Sequence, residues 1–241
     1  MAETTLNFSL VHGLFDLLAW ASAGVIGFLV TRWRGTMFPP SARSGSLYLP
    51  FLLIGSAVGA YALGTLNLLV SGIDGLARSI EGAIVGGVAA VEIYKRGAGL
   101  TGRTGARFAA PLAMGVMIGR IGCFLAGLED FTYGVPTNSP FGHDFGDGVV
   151  RHPVQLYESA AMGLFLAAYL IAAARRSAFV LTNGFTLAVG FYAGQRFVWE
   201  FLKPYAPVLG PFTVFHLASA GLLLYAAVLL TRAPKSALKP G

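Results

Sequence analysis

Charge is what this chain has least of: Asp, Glu, Lys and Arg make up 12% of its 241 residues, while hydrophobic types make up 55%. Soluble domains carry roughly a quarter charged residues, so this balance excludes an ordinary water-soluble fold. Cysteine is almost absent too. Cys123 is the single one, which leaves no intrachain disulfide framework. No low-complexity stretch divides the chain, which reads as one polytopic domain over 1–241. The apolar runs are continuous rather than alternating, which favours helices over a transmembrane barrel. The first eight residues hold Glu3 and no basic residue, so the opening segment does not read as a cleavable signal peptide.

What is there is a series of long apolar runs. A helical span needs about 20 mostly apolar residues. Seven stretches come near that length: 10–30, 47–70, 80–93, 108–125, 154–173, 179–199 and 212–230. The fold class is therefore all-α integral membrane, with about seven transmembrane helices. The third run is short, and its approach through residues 72–79 is polar and Gly-rich. It is expected to be a tilted or partly re-entrant helix whose irregular end is buried in protein.

Basic residues between the runs set the orientation. Arg32, Arg34, Arg43, Lys95, Arg96, Arg103, Arg107, Arg175, Arg176, Arg232, Lys235 and Lys239 fall on one side, against Arg78, Arg151 and Lys203 on the other. The N-terminus is therefore placed outside and the C-terminus in the cytoplasm. The net charge of +6 is a topological signal and points to no nucleic acid. The longest connection, 126–153, lies on the outer face and mixes Glu129, Asp130, His143, Asp144, Asp147, Arg151 and His152 with prolines and glycines, as a packed functional loop does. Its acids and histidines match no compact metal-ligand spacing. Gly55/Gly59, Gly82/Gly86, Gly115/Gly119 and Gly190/Gly194 have the spacing of close helix packing.

Ionisable groups within spans are costly and mark a site. His12, Asp16, Glu81, Arg120, Glu158, Arg196, Glu200 and His216 all fall in the outer half of their runs, whereas the inner half has little beyond Glu92, one turn from Lys95 and Arg96. A polar cavity open to the outer face and roofed by the 126–153 loop follows. A transporter would need polar groups in both halves. Local pairing of His12 with Asp16, or of Arg196 with Glu200, is available at i,i+4 spacing. Arg120 and Arg196 at head-group depth suggest a phosphate clamp, because a guanidinium holds phosphate oxygens bidentately.

The segment Gly119-Arg120-Ile121-Gly122-Cys123-Phe124, with Gly127, Glu129 and Gly134 after it, resembles prolipoprotein diacylglyceryl transferases. So do Arg151-His152-Pro153-Val154-Gln155-Leu156-Tyr157-Glu158 and Arg196-Phe197-Val198-Trp199-Glu200-Phe201. The resemblance implies a multi-pass protein of the bacterial cytoplasmic membrane. Its activity would be transfer of a diacylglyceryl group from phosphatidylglycerol, or a related anionic phospholipid, to the lipobox cysteine of a prolipoprotein. It implies no cofactor and no metal. By the same resemblance Arg120 and Arg196 hold lipid phosphate, Glu129 is the acid after the first segment, and Gly134 is the glycine that follows. Arg151, His152, Gln155, Tyr157, Glu158 and Glu200 join the substrate-binding set, unless those of the 151–158 segment only anchor the loop to the fifth run.

The chain departs from that family pattern at four places. Cys123 and Ala126 stand where the family has asparagines, Glu81 replaces an imidazole on the third run, and Asp16 falls at a tyrosine of the first. An amide thus becomes a thiol, and two groups become carboxyls. Asp16 and Glu81 are the candidates for an altered acid/base role, with Cys123 beside the substrate. A catalytically altered paralogue with another acceptor, or a non-catalytic phospholipid-binding protein, is the alternative.

Overall fold

The computed structural model describes residues 2–38 and 45–232. Arg43, Lys235 and Lys239 of the orientation tally lie outside them. Seven α-helices are present among the described residues: α1 (Ala2–Arg34), α2 (Tyr48–Val70), α3 (Ile80–Gly97), α4 (Ala109–Ala126), α5 (Val154–Ala174), α6 (Ala178–Glu200) and α7 (Val214–Thr231). By length and composition five stretches suffice to cross a membrane: Leu10–Met37, Tyr48–Val70, Ala106–Asp130, Val154–Ala174 and Val214–Thr231. The protein is thus an all-helical membrane protein. Helix α3 falls short because Glu81, Glu92, Lys95 and Arg96 occupy it, and α6 carries Thr182, Asn183, Gln195, Arg196 and Glu200.

Contacts divide the chain into two compact units. The first takes residues 1–35, 107–177 and 195–204; the second takes 36–106, 178–194 and 205–241. In the first unit α4 packs against both α1 and α5. Close approach is set by small residues: a Cβ on Gly122 would stand 2.4 Å from Phe15 Cβ, and one on Gly27 2.8 Å from Pro111 Cγ. Arg34, in the last turn of α1, donates to Ala173 O at 3.0 Å, satisfying a carbonyl at the end of α5. The 3₁₀ turn Gly127–Asp130 follows α4, and Gly127 at the junction has φ 73°, a conformation open to glycine.

The long loop is ordered by backbone pairing. A short antiparallel ribbon joins β1 (His143–Asp144) to β2 (Val150–Arg151). Asp144 Oδ1 accepts from the amides of Gly146, Asp147 and Gly148, closing the turn between the strands. Val135 N donates to Leu202 O and His152 N to Val135 O. A Cβ on Gly134 would stand 2.7 Å from His152 O, so only glycine fits that crossing.

The second unit rests on α2 against α3. Here the small-residue motif brings backbone onto backbone: a Cβ on Gly59 would lie 2.2 Å from Gly82 O, and one on Gly86 2.1 Å from Gly55 O. The other two motifs are looser, with Gly115 3.7 Å from Ala23 Cβ and Gly190 3.2 Å from Ala226 Cβ by the same measure. Ser79 caps α3 by accepting from Gly82 N at 3.1 Å. The approach to α3 is irregular, as its composition predicts, but the expected burial is not found: residues 72–76 are exposed. The segment is tied back to α2 at its ends, Ile73 N donating to Leu68 O, Ala77 N to Thr65 Oγ1 and Ser79 N to Ala60 O.

Gly59→Leu should therefore lower stability by about 3 kcal/mol or more, since the new side chain meets main chain that has no rotamer to yield. Gly190→Ala, facing one methyl group, should change it far less. Thermal unfolding of both variants in one detergent checks the contrast.

Candidate active site

The charged residues of the first unit converge on Glu158. This carboxylate stands one turn into α5 and is fully buried. Its Oε1 accepts from Arg196 Nη1 at 2.8 Å and lies 3.4 Å from Lys203 Nζ, while its Oε2 pairs with Arg120 Nε. Arg196 Nη2 lies 2.8 Å from Glu200 Oε2, one turn further along α6. Three cations thus share two carboxylates. All five groups are buried, with relative exposures from 0% to 6%. Of the two local pairings open from sequence, Arg196 with Glu200 is formed, and His12 reaches Asp130 of the turn after α4, Nε2 to Oδ1 at 2.5 Å. Glu92 pairs with Lys95 at 2.8 Å in the second unit, as its spacing predicts.

Sequence reasoning missed Lys203, which counts there only as an outer-loop cation. It follows the end of α6, donates to Thr132 O, and is as buried as the arginines. Burial pushes its ammonium down to about 8, although Glu158 pulls in the opposite direction. The other missed group is Asp130. Glu129 is exposed on the Gly127–Asp130 turn, whereas Asp130 turns inward to His12 and accepts from Thr132 Oγ1.

The remaining sequence candidates are distributed as follows. Cys123 is buried one turn beyond Arg120, its Sγ 4.0 Å from Arg120 Nη1. Asp16 is half-buried on α1, one turn after His12. Arg151 holds Asp147 bidentately, 2.7 Å at each contact, and stacks over Tyr133, so it braces the hairpin. That pairing keeps the Asp147 carboxyl below its usual range. His152 Nδ1 lies 3.2 Å from Tyr157 Oη, and the Tyr157 ring meets Trp199, which ties the loop to α5 and α6. Gln155 is wholly buried, and neither amide atom finds a hydrogen-bond partner among the described residues. Glu81 belongs to the second unit, where it sits in the first turn of α3 and accepts from Ser219 Oγ at 2.6 Å. His216 caps α7: its Nδ1 accepts from Thr213 N at 3.1 Å, and Thr213 Oγ1 accepts in return from His216 N.

A buried cluster of guanidinium groups and an ammonium, held by two carboxylates, carries the charge and the planar donors that suit a phosphate. Comparison with known proteins gives that chemistry a context. A family model described as prolipoprotein diacylglyceryl transferase matches residues 14–232. A phosphatidylglycerol–prolipoprotein diacylglyceryl transferase of Solidesulfovibrio magneticus is 30% identical over 246 residues, covering 91% of this chain and 86% of that protein. One of Nitratidesulfovibrio vulgaris is 31% identical, covering 74% of each, and one of Geobacter sulfurreducens is 38% identical over 52% of this chain and 49% of its own.

Glu158→Gln should cost about 3–5 kcal/mol of stability, because it removes the buried carboxylate that Arg120, Arg196 and Lys203 share, while Glu129→Gln at the exposed turn should fall within about 0.5 kcal/mol of the parent. Unfolding temperatures of the two variants read the difference. Lys203 adds a pH signature. The folded chain sheds this proton near pH 8, and the unfolded chain keeps it up to 10.5. In that window the unfolded state binds more protons, so the Lys203 contribution rises with pH, whereas below it both states are protonated and the burial cost is fully present. Lys203→Met should flatten that rise.

Proposed function

Because the chain belongs to the prolipoprotein diacylglyceryl transferase family, we propose that it moves a diacylglyceryl group from phosphatidylglycerol to the cysteine thiol of a prolipoprotein at the outer leaflet of a bacterial cytoplasmic membrane. The observation that carries this reading is the buried Arg120–Glu158–Arg196 bridge in a membrane-helix setting. The acceptor sulfur forms a bond to the glyceryl carbon as the carbon–oxygen bond to phosphate breaks, and glycerol phosphate leaves. Charge grows on the departing phosphate, and Arg120, Arg196 and Lys203 are groups that stabilise it. The thiol must lose its proton before it attacks. Asp16 is the acid/base candidate within the first unit for that step, and the buried amide of Gln155 suits a head-group hydroxyl, the kind of partner a desolvated amide requires.

This reading includes one polytopic domain of seven crossings, N-terminus outside and C-terminus cytoplasmic, with the 126–153 loop over the site. The uneven distribution of Lys and Arg supports the orientation. Helices α3 and α6 count as crossings here because their polar groups have protein partners, such as Ser219 for Glu81 and Glu158 for Arg196. Cys123 in place of an asparagine favours a second reading, in which the lipid donor is the same and the acceptor differs.

In vesicles containing phosphatidylglycerol, a lipobox peptide should gain the mass of one diacylglyceryl group. Arg120→Ala and Arg196→Ala should each lower the rate by about 100-fold or more. Arg196→Lys should not restore it, because the bidentate fork is lost. An unmodified peptide, with lipid still bound in an arginine-dependent way, would transfer support to the second reading.

A further inference from the structure

The first unit carries a side-chain cluster that the phosphate network does not use. His12 of α1, Cys123 of α4 and Asp130 of the following 3₁₀ turn bring an imidazole nitrogen, a sulfur and a carboxylate oxygen within 4.8 Å of one another. Spacing along the chain conceals this group, because residues 12, 123 and 130 meet only through the packing of α1 on α4. The geometry points to a binding site for a thiophilic divalent cation of the zinc class, whose fourth position receives the acceptor thiol as thiolate; the second half rests on the transfer reaction proposed above.

The donor set decides the class of ion. Sulfur, imidazole nitrogen and one carboxylate suit zinc, whereas calcium and magnesium require oxygen ligands. Three protein ligands leave one position of a tetrahedron open, as in sites that act on a bound group rather than only brace a fold. Cys123 is 7% exposed, while the side chains of His12 and Asp130 retain 19% and 11%, so access runs from the His12–Asp130 side. That pair lies at 2.5 Å in direct hydrogen bond. Tetrahedral ligation would set the two atoms about 3.3 Å apart, an opening of less than about 1 Å that side-chain torsions supply. Thr132 Oγ1 donates to Asp130 Oδ2 and leaves Oδ1 toward the cluster, the kind of outer partner that orients a metal ligand.

Charge is consistent with the assignment. A Cys123 thiolate and the Asp130 carboxylate together balance a divalent ion. Coordination also answers the acceptor's need to ionise. A thiol that binds such an ion gives up its proton to solvent, and its sulfur then attacks the glyceryl carbon as glycerol phosphate departs.

The full-length protein, in detergent and carrying a tag without histidine, would be stripped with a chelator and titrated with cobalt(II) as the optical probe. One equivalent should bind, with a thiolate-to-cobalt charge-transfer band. Cys123→Ser should remove that band, and Thr132→Val should weaken binding by about tenfold or more. A lipobox cysteine peptide should then strengthen the band, and its serine analogue should not. Absence of a band, or a band that survives Cys123→Ser, would overturn the site. A band indifferent to the cysteine peptide would overturn the role in thiol activation. Failure of the transferase reading is separately visible: the cobalt band would form while no lipid is transferred even with zinc restored.

Discussion

One buried carboxylate organises the first unit. Glu158 has no access to water, so it is stable as an anion only where cations meet both of its oxygens, and three do. Those cations come from α4, from α6 and from the residues just beyond α6. Satisfying Glu158 therefore fixes the ends of these elements against the first turn of α5. The 151–158 segment makes this possible. Pro153 precedes a helix that begins at Val154, and Gln155 and Glu158, three residues apart, share its buried face. The arginines are held at fixed positions before any ligand arrives, which is the condition for electrostatic stabilisation without reorganisation during the reaction.

The second unit solves its packing differently. Between α2 and α3 contact passes through Gly55, Gly59, Gly82 and Gly86, and main-chain carbonyls occupy the space that side chains would take. Close packing of this kind suits a lipid environment, where apolar side chains gain little by leaving lipid for protein. It also lets α3 tolerate Glu81, since the cap at Ser79 and the hydroxyl of Ser219 both serve the same first turn.

Helix positions were legible because apolar runs of membrane length need no periodicity to be read, and all seven runs correspond to helices. Arg120, Glu158, Arg196 and Glu200 were legible for the same reason, as charges standing in apolar surroundings. Lys203 was not, because a cation just past a helix end looks like a loop residue until the fold shows it turned inward on Thr132. Which of the two neighbouring acids turns inward was not legible either: after α4 the chain tightens into a 3₁₀ turn, whose three-residue repeat turns Asp130 rather than Glu129 toward His12. The burial expected at 72–76 is not found, and the segment is tied back to α2 only at its two ends, through Ile73 and through Ala77 and Ser79.

The differences from the family pattern within the first unit are distributed unevenly around Arg120. On one side the guanidinium faces Glu158, and through it Arg196 and Lys203; this part carries the charge that a phosphate diester requires. On the other side stands Cys123, where the family has an asparagine, next to the His12–Asp130 pair. An asparagine offers a neutral donor and acceptor, whereas a thiol flanked by imidazole and carboxylate offers a site that ionises or binds a soft ion. On the proposed reading, the substitutions leave the Arg120–Glu158–Arg196 cluster intact and change the polar groups beside it.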